Sequence, residues 1–220
     1  MTAEIEITAF SWVPEGARGL VRDLRVRWAL EEMGEPYRKH LYDRSISGPE
    51  DRQPEQPFGQ VPAFREGDIA MFESGAICLH LAERSPALLP RDGAAKARAL
   101  SWAIAALSSV EPYISLVQHV TFFDADKPGA ADFVPTAMGR LSDRLHQLEA
   151  ALGEKDWLDG QFTVADLLMV SVLRPPARRG TLADWPKLAA YVARGEARPA
   201  FRRALDAQMA DFKTDAEAGA

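Results

Sequence analysis

Two short stretches, Gln60-Val61-Pro62 and Glu73-Ser74, combine residue types suited to holding a peptide-like ligand. A proline that opens a strand directly after a loop often takes a cis bond, which turns the preceding backbone amide and carbonyl outward. An extended peptide can pair with such main chain, as in strand addition, while neighbouring side chains supply selectivity. The plainer reading of the same tripeptide is a rigid start to a strand. Glu73-Ser74 stands where a strand passes into a helix, and Ser74 there is a natural N-cap. A helix N-terminus and a serine hydroxyl also hold a carboxylate, and Glu73 can hold an ammonium group. Together they match both charges of a free α-amino-acid head. A third stretch, Thr163-Val164-Ala165-Asp166, has the spacing of a capping box, a structural device that closes the start of a helix.

These residues need elements to position them. Residues 4–10 alternate apolar and polar side chains before Pro14 and Gly16, which predicts a strand followed by a loop. From Gly19 to Met33 two apolar rows, Leu20/Leu24/Trp28 and Val26/Leu30/Met33, predict a helix covered on two sides and stopped by Gly34. Pro36–Tyr42 reads as a second strand, and the polar stretch 47–58 as a connection with a short helix. Val61–Phe64 and Ile69–Phe72 flank the turn-forming run Arg65-Glu66-Gly67-Asp68 and form a hairpin, followed by a helix from Ser74 to about Arg84. Strand, helix, strand, hairpin, helix is the order of a four-stranded mixed sheet flanked by helices.

Ser85–Gly93, with two prolines, reads as a linker, so the expected domains are 1–84 and 94–220, with 85–93 between them. Beyond it the pattern is helical. Leu100, Ile104, Leu107, Ile114 and Val117 mark one amphipathic helix, with Pro112 a candidate kink, and Leu141, Leu145, Leu148 and Leu152 mark another. Val164–Leu173 is apolar nearly all round, as a central helix is. Trp185-Pro186 and Arg198-Pro199 each start a further helix, and the tail 214–220 reads as disordered.

A net charge of -6 argues against broad contact with nucleic acid or an anionic membrane, both of which need a basic excess. No signal-peptide pattern and no unbroken apolar run long enough to span a bilayer is seen, so no membrane is expected. The single cysteine, Cys78, excludes an intrachain disulfide, a Cys-x-x-Cys pair and a structural zinc site, and fits a reducing, cytoplasmic compartment. Its place inside a helix turn reads as inert core. His40, His80, His119 and His146 lack metal-ligand spacing, so no metal is expected.

Taken together, Phe58-Gly59-Gln60-Val61-Pro62, Phe72-Glu73-Ser74-Gly75-Ala76-Ile77 and Phe162-Thr163-Val164-Ala165-Asp166 resemble the soluble glutathione transferases. The resemblance runs over essentially the whole chain, including Trp185-Pro186-Lys187-Leu188 and Arg198-Pro199-Ala200-Phe201. It implies a glutathione transferase fold, an α/β thioredoxin-like N-terminal domain and an all-α C-terminal helical bundle, and a homodimer. It further implies that glutathione is a co-substrate, with Val61 and Pro62 pairing with its cysteinyl unit, Glu73 and Ser74 binding its γ-glutamyl head, and Gln60 assisting.

Transferases of this kind activate the glutathione thiol with a Tyr, Ser or Cys between the first strand and first helix, and this chain departs from each common pattern. Ser11 is the only hydroxyl there, and donation from it to a thiolate would lower the thiol pKa. It is equally a plain loop residue. Arg18, Arg22 and Arg25, spaced four and three apart, offer a rival: on one helix face near the N-terminus they would stabilise a thiolate electrostatically, or simply be solvated. Arg22 is the alternative taken from this set. Trp12, Phe122 and Phe123 are candidates to line a pocket for an apolar electrophile, or are core. The expected activity is glutathione-dependent transfer, with peroxide reduction as a side activity; the alternative is a non-catalytic binding module of the same fold.

Overall fold

A computed structural model of the chain describes residues 4–43 and 56–214. The short helix expected in 47–58 lies almost wholly outside these residues, as does nearly all of the tail 214–220. By contacts the chain divides into two compact units, Met1–Leu88 with Ala197–Ala220, and Leu89–Glu196. The expected division assigned 197–220 to the helical domain, whereas the last helix packs with the first one of the sheet unit.

The first unit holds β1 (Ile5–Phe10), α1 (Asp23–Met33), β2 (Tyr37–Tyr42), β3 (Ala63–Glu66), β4 (Ile69–Phe72) and α2 (Ser74–Ala82). It is a thioredoxin-like arrangement, with sheet order β2-β1-β3-β4. β1 pairs parallel with β2 across the α1 crossover and antiparallel with β3, and β3 and β4 form the hairpin. Ile5, Ile7, Ala9 and Phe64 from the sheet and Leu24, Trp28, Leu30, Ile77 and Leu81 from the helices make the core. α1 starts four residues later than its apolar rows predict, at Asp23 instead of Gly19. Gly19 has φ +74° and the chain turns through it, so the helix has nothing to extend back into. Its other end is as read: Gly34, at φ +69°, donates its N–H to Leu30 O and ends the helix.

The last helix of the chain, named α8 below (Pro199–Met209), belongs to this unit. Its Phe201 ring meets Trp28 edge-on at 4.9 Å between centroids, and Arg198 forks onto Glu32 through Nε at 2.6 Å and Nη2 at 2.8 Å. Beneath these contacts runs a polar chain. Asp23 receives Arg27 Nε at 2.7 Å and Gln208 Nε2 at 2.7 Å, and Arg27 Nη2 continues to Asp211 at 2.7 Å. Arg27 and Asp23 are 0% and 1% exposed, so these charges have each other in place of water.

The second unit comprises α3 (Gly93–Ala105), α4 (Glu111–Gln118), α5 (Ala130–Leu152), α6 (Val164–Arg178) and α7 (Pro186–Glu196). α3 and α4 form one continuous helical run from Gly93 to Phe123, with π-helical turns at Ala106–Val110 and His119–Phe123. The first π turn ends at Val110, two residues before Pro112, and carries the helical run up to a residue that has no N–H to give. This run is long and apolar enough by composition to cross a membrane, which a search for an unbroken apolar stretch overlooks. Its burial is a single stripe, Ala99, Ala103, Ala106, Val110 and Ile114, the pattern of a bundle helix and not of an apolar circumference. The stripe also corrects the predicted core face: Ile104 is 52% exposed, and small alanines instead let α3 approach α6 closely. The same closeness explains Gly195 on α7, where a Cβ would meet Val170 Cγ1 at 2.7 Å. Leu141, Leu145, Leu148 and Leu152 on α5 are buried as predicted, and α6 is central.

The capping box at α6 is complete. Thr163 Oγ1 accepts from Ala165 N at 3.2 Å, and Asp166 Oδ2 accepts from Thr163 N at 2.9 Å. Asp166 does more than cap: its Oδ1 accepts from Leu158 N and from the Tyr191 hydroxyl, each at 2.9 Å.

Candidate functional site

The loop before β3 is tied at both ends. Gln56, 2% exposed, accepts from Phe58 N through Oε1 at 2.6 Å, and Ala63 N donates to Thr8 Oγ1 on β1 at 2.7 Å. Between them the Val61–Pro62 bond is cis, Val61 is buried and Gln60 is exposed. The main chain of this turn is therefore held at the edge of the hairpin, next to a side chain that reaches solvent.

The second corner lies at the junction of β4 and α2. Glu73 has φ +68° and ψ 111°, the only non-glycine residue with positive φ among those described. A side chain in that region is sterically opposed, and such residues persist where the surroundings hold them. Ser74 is not the cap that the sequence predicts. The N-cap is Glu73, without a side-chain bond, and Ser74 is the first helical residue. With the backbone turned at Glu73, the Ser74 hydroxyl points instead to Arg25, whose Nη1 donates to Ser74 Oγ at 3.2 Å. Ser74 is 4% exposed and Arg25 6%.

A buried guanidinium, a hydroxyl and the unpaired first-turn amides of α2 thus meet at one point, and all favour an anion. Exposed Glu73 stands beside them with the opposite charge. The arrangement can hold a zwitterion, carboxylate toward Ser74 and Arg25, ammonium toward Glu73.

Arg18, Arg22 and Arg25 do not share a helix face. Because α1 begins at Asp23, Arg18 lies in the preceding loop, where its Nη2 donates to Lys213 O at 3.2 Å, and Arg22 is the N-cap of α1. Only Arg25 is within the helix. Its meeting with Ser74 is the feature that sequence reasoning missed. The available signal was Asp23, Arg25 and Arg27 interleaved with Leu24, Val26 and Trp28: charges in a helix covered on both sides must be buried, and so must have partners.

Ser11 follows the end of β1 and is 5% exposed. Its N–H donates to Tyr42 O at 2.9 Å and its carbonyl accepts from Lys213 N at 2.8 Å, so its backbone ties β1 to the end of β2 and to the C-terminal segment. Its hydroxyl donates to Tyr42 O at 3.4 Å, longer than a strong O–H···O bond. Trp12 is half-buried beside it.

In the helical unit, Phe122 lines a cavity with Ile114, Val117 and Leu141, while Phe123 is 70% exposed and rests against His119 outside the lining. Trp12 belongs to the other unit. The cavity accounts for one of the three aromatic residues singled out. Cys78 is fully buried and burial pushes its thiol up to about 12, as inert core requires. Among the described residues no three His, Cys, Asp or Glu side chains are grouped as a metal site.

Residues 16–83 match the family model for the glutathione S-transferase N-terminal domain, and residues 114–199 that for the C-terminal domain. Glutathione S-transferase 1 of Zea mays is 31% identical over 157 residues, covering 67% of this chain and 72% of that protein. This chain belongs to the glutathione S-transferase family. The maleylacetoacetate isomerase of Pseudomonas aeruginosa is 30% identical over 199 residues, 85% of this chain and 92% of that one. A glutathione transferase family member from Pseudomonas fluorescens Pf-5, solved with two glutathione bound, has a TM-score of 0.77 over 92% of each chain at 23% identity. At that identity the likeness shows that the transferase fold is shared, sheet unit and helical unit alike.

Proposed function

We propose that this transferase-family protein binds glutathione in its sheet unit and activates the thiol for attack on an apolar electrophile. The observation that carries the reading is the meeting of Arg25 with Ser74 at the start of α2, beside the left-handed Glu73. The γ-glutamyl carboxylate would take the Ser74 hydroxyl, the Arg25 guanidinium and the α2 amides, and the γ-glutamyl ammonium would take Glu73. The cysteinyl main chain would pair at Val61 beside the cis Val61–Pro62 bond, with Gln60 reaching over from solvent.

For thiol activation we assign Ser11, with Arg22 as the rival. The long bond from Ser11 to Tyr42 O supports the serine, because a weakly held hydroxyl turns toward a thiolate at little cost. Arg22, at the positive end of α1, supports the rival. The thiolate sulfur then bonds to the electrophilic carbon, the bond to the leaving group breaks with its electron pair, and the thiol proton passes to solvent. Peroxide reduction would use the same thiolate, which attacks the O–O bond and expels the alcohol, and a second glutathione then converts the resulting sulfenic acid to glutathione disulfide and water. A homodimer is supported by Phe58, Ile69 and Phe72, which are 68%, 42% and 39% exposed on the sheet unit. Buried Cys78 as the sole cysteine fits a cytoplasmic setting.

Titrating the thiol of bound glutathione by its thiolate absorbance tests the proposal. A depressed pKa that is lost in Ser11→Ala alone supports the serine; loss in Arg22→Ala alone transfers the role to the arginine. Glutathione bound with its solution pKa, or not bound, sinks the transferase reading and favours a non-catalytic module. The commitment of the Ser11 backbone to structural bonds is the observation on that side.

A further inference from the structure

The helical unit has a cavity of its own, of about 250 Å³, where α4, α5 and the end of α6 diverge. Burial grades its walls. Ile114 and Leu141, 4% and 1% exposed, form the floor with Pro176 and Met138, and Phe122, at 56%, stands at the mouth. The π-helical turn His119–Phe123 brings Phe122 there, and π turns recur at ligand sites because the extra residue re-aims side chains. Over the Phe122 ring, 4.1 Å from its centroid, lies the Arg179 guanidinium. Among the described residues Arg179 has no carboxylate partner, and it is exposed.

The chemistry is thus graded along the depth of the cavity: apolar at the floor, with half-buried Gln118, Thr121 and Thr181 adding neutral polar groups on the walls, and cationic at the rim. A neutral apolar molecule would fill the floor and leave the guanidinium unused, while a small inorganic anion would meet Arg179 and leave the floor empty. At roughly 30 Å³ per water the space equals about eight waters, and it is smaller than the usual pocket for a drug-sized ligand. It suits one or two fused rings. A planar carboxylate on such a ring matches the guanidinium fork, and that charge-assisted pair is stronger than the exposed cation–π contact it would replace. Met138, flexible and polarizable, lets the wall adjust to ring shape.

We infer that this cavity binds a small aromatic carboxylate, ring against Ile114, Leu141 and Met138 and carboxylate on Arg179. The site stands on the helical unit alone and does not rest on the glutathione reading.

The test uses the full chain and two probes of equal ring size, 1-naphthoate and its uncharged counterpart 1-naphthalenemethanol, in titration calorimetry. Arg179→Gln is expected to weaken 1-naphthoate by about tenfold or more, the loss of one charge-assisted pair, and to leave 1-naphthalenemethanol within about twofold. Val117→Trp, which fills the cavity, is expected to abolish both. In case that variant does not fold, protein labelled with 13C at its methionine methyl groups provides a second reading. The Met138 signal, identified by its loss in Met138→Leu, shifts when 1-naphthoate is added to wild type. The inference is overturned if wild type does not bind 1-naphthoate in the millimolar range, if Arg179→Gln binds it as tightly as wild type, or if it binds without moving the Met138 signal.

Discussion

Asp23 and Asp166 are both almost wholly buried, at 1% and 0% exposure, and the two units satisfy them in opposite ways. Asp166 in the helical unit is met by neutral donors: the amides of Leu158 and Thr163 and the hydroxyls of Thr163 and Tyr191. Asp23 in the sheet unit is met by the Arg27 guanidinium and the Gln208 amide, and Arg27 is shared with Asp211. Burial raises both carboxyl groups above their ordinary range, Asp23 to about 6, against the pull of these partners. Burial by itself says little about how a charge is carried. Both stand in the first turn of a helix, Asp23 as the first residue of α1 and Asp166 three residues after the cap of α6, so the difference lies in the partners: Asp166 turns back onto the amides and hydroxyls around its helix start, while Asp23 is completed by side chains from one turn along α1 and from α8.

The most damaging break is expected at Asp166. Asp166→Ala leaves the Leu158 and Thr163 amides and the Tyr191 hydroxyl buried without acceptors and should cost about 3–5 kcal/mol, or prevent soluble folding, as read by urea denaturation. At the other carboxylate, Arg27→Met leaves buried Asp23 with Gln208 alone, while Asp211 keeps Lys39, and about 3 kcal/mol should be lost. Here the comparison sharpens, because pairing that change with Asp23→Leu should recover part of the loss by removing the stranded charge. A double variant no better than the single one would mean that packing, not charge pairing, holds α1 to α8.

Protonation separates the two sites further. The folded Asp23 carboxyl lies near 6 against an ordinary 3.8, so the folded protein holds the proton more tightly. Its contribution to stability should therefore increase as pH falls from about 7 through 6 toward 4, by about 2 kcal/mol, and level off below the unfolded value. Asp166 adds to the same slope. In Asp23→Asn the part of the slope centred near 6 should vanish, and an unchanged pH profile of the urea midpoint would remove Asp23 from the account. Smallest of all, Thr163→Ala removes the cap oxygen from Ala165 N and should cost about 1 kcal/mol, provided that Asp166 still holds the Thr163 amide.

The same contrast governs what could be read before the fold was known. The Thr163–Asp166 box, the stop at Gly34, the helix starts at Pro186 and Pro199 and the β3–β4 hairpin were all legible, because each is completed within a few residues of itself. The leucine row of α5 and the apolar run of α6 were legible too, since a 3.6-residue period states which face is covered. At the site, Val61-Pro62 and Glu73-Ser74 could be marked as a candidate ligand corner from residue type and place, but the hydrogen bond that Ser74 makes could not. Its hydroxyl partner, Arg25, is 49 residues away.

What the sequence determined by itself was the family, the order of the elements, those ends that are closed by a local cap or stop, and the two short stretches proposed to hold glutathione. Only the tertiary structure decided that α8 lies on α1, that Gln208 reaches Asp23 across 185 residues, that alanines and not Ile104 face α6, and that Arg179 stands over Phe122 at the mouth of a cavity. The physical reason is range. Caps, turns and periodic faces are settled by backbone geometry over one or two helical turns, while partners for buried charge and the shape of a cavity depend on which surfaces meet once whole helices pack.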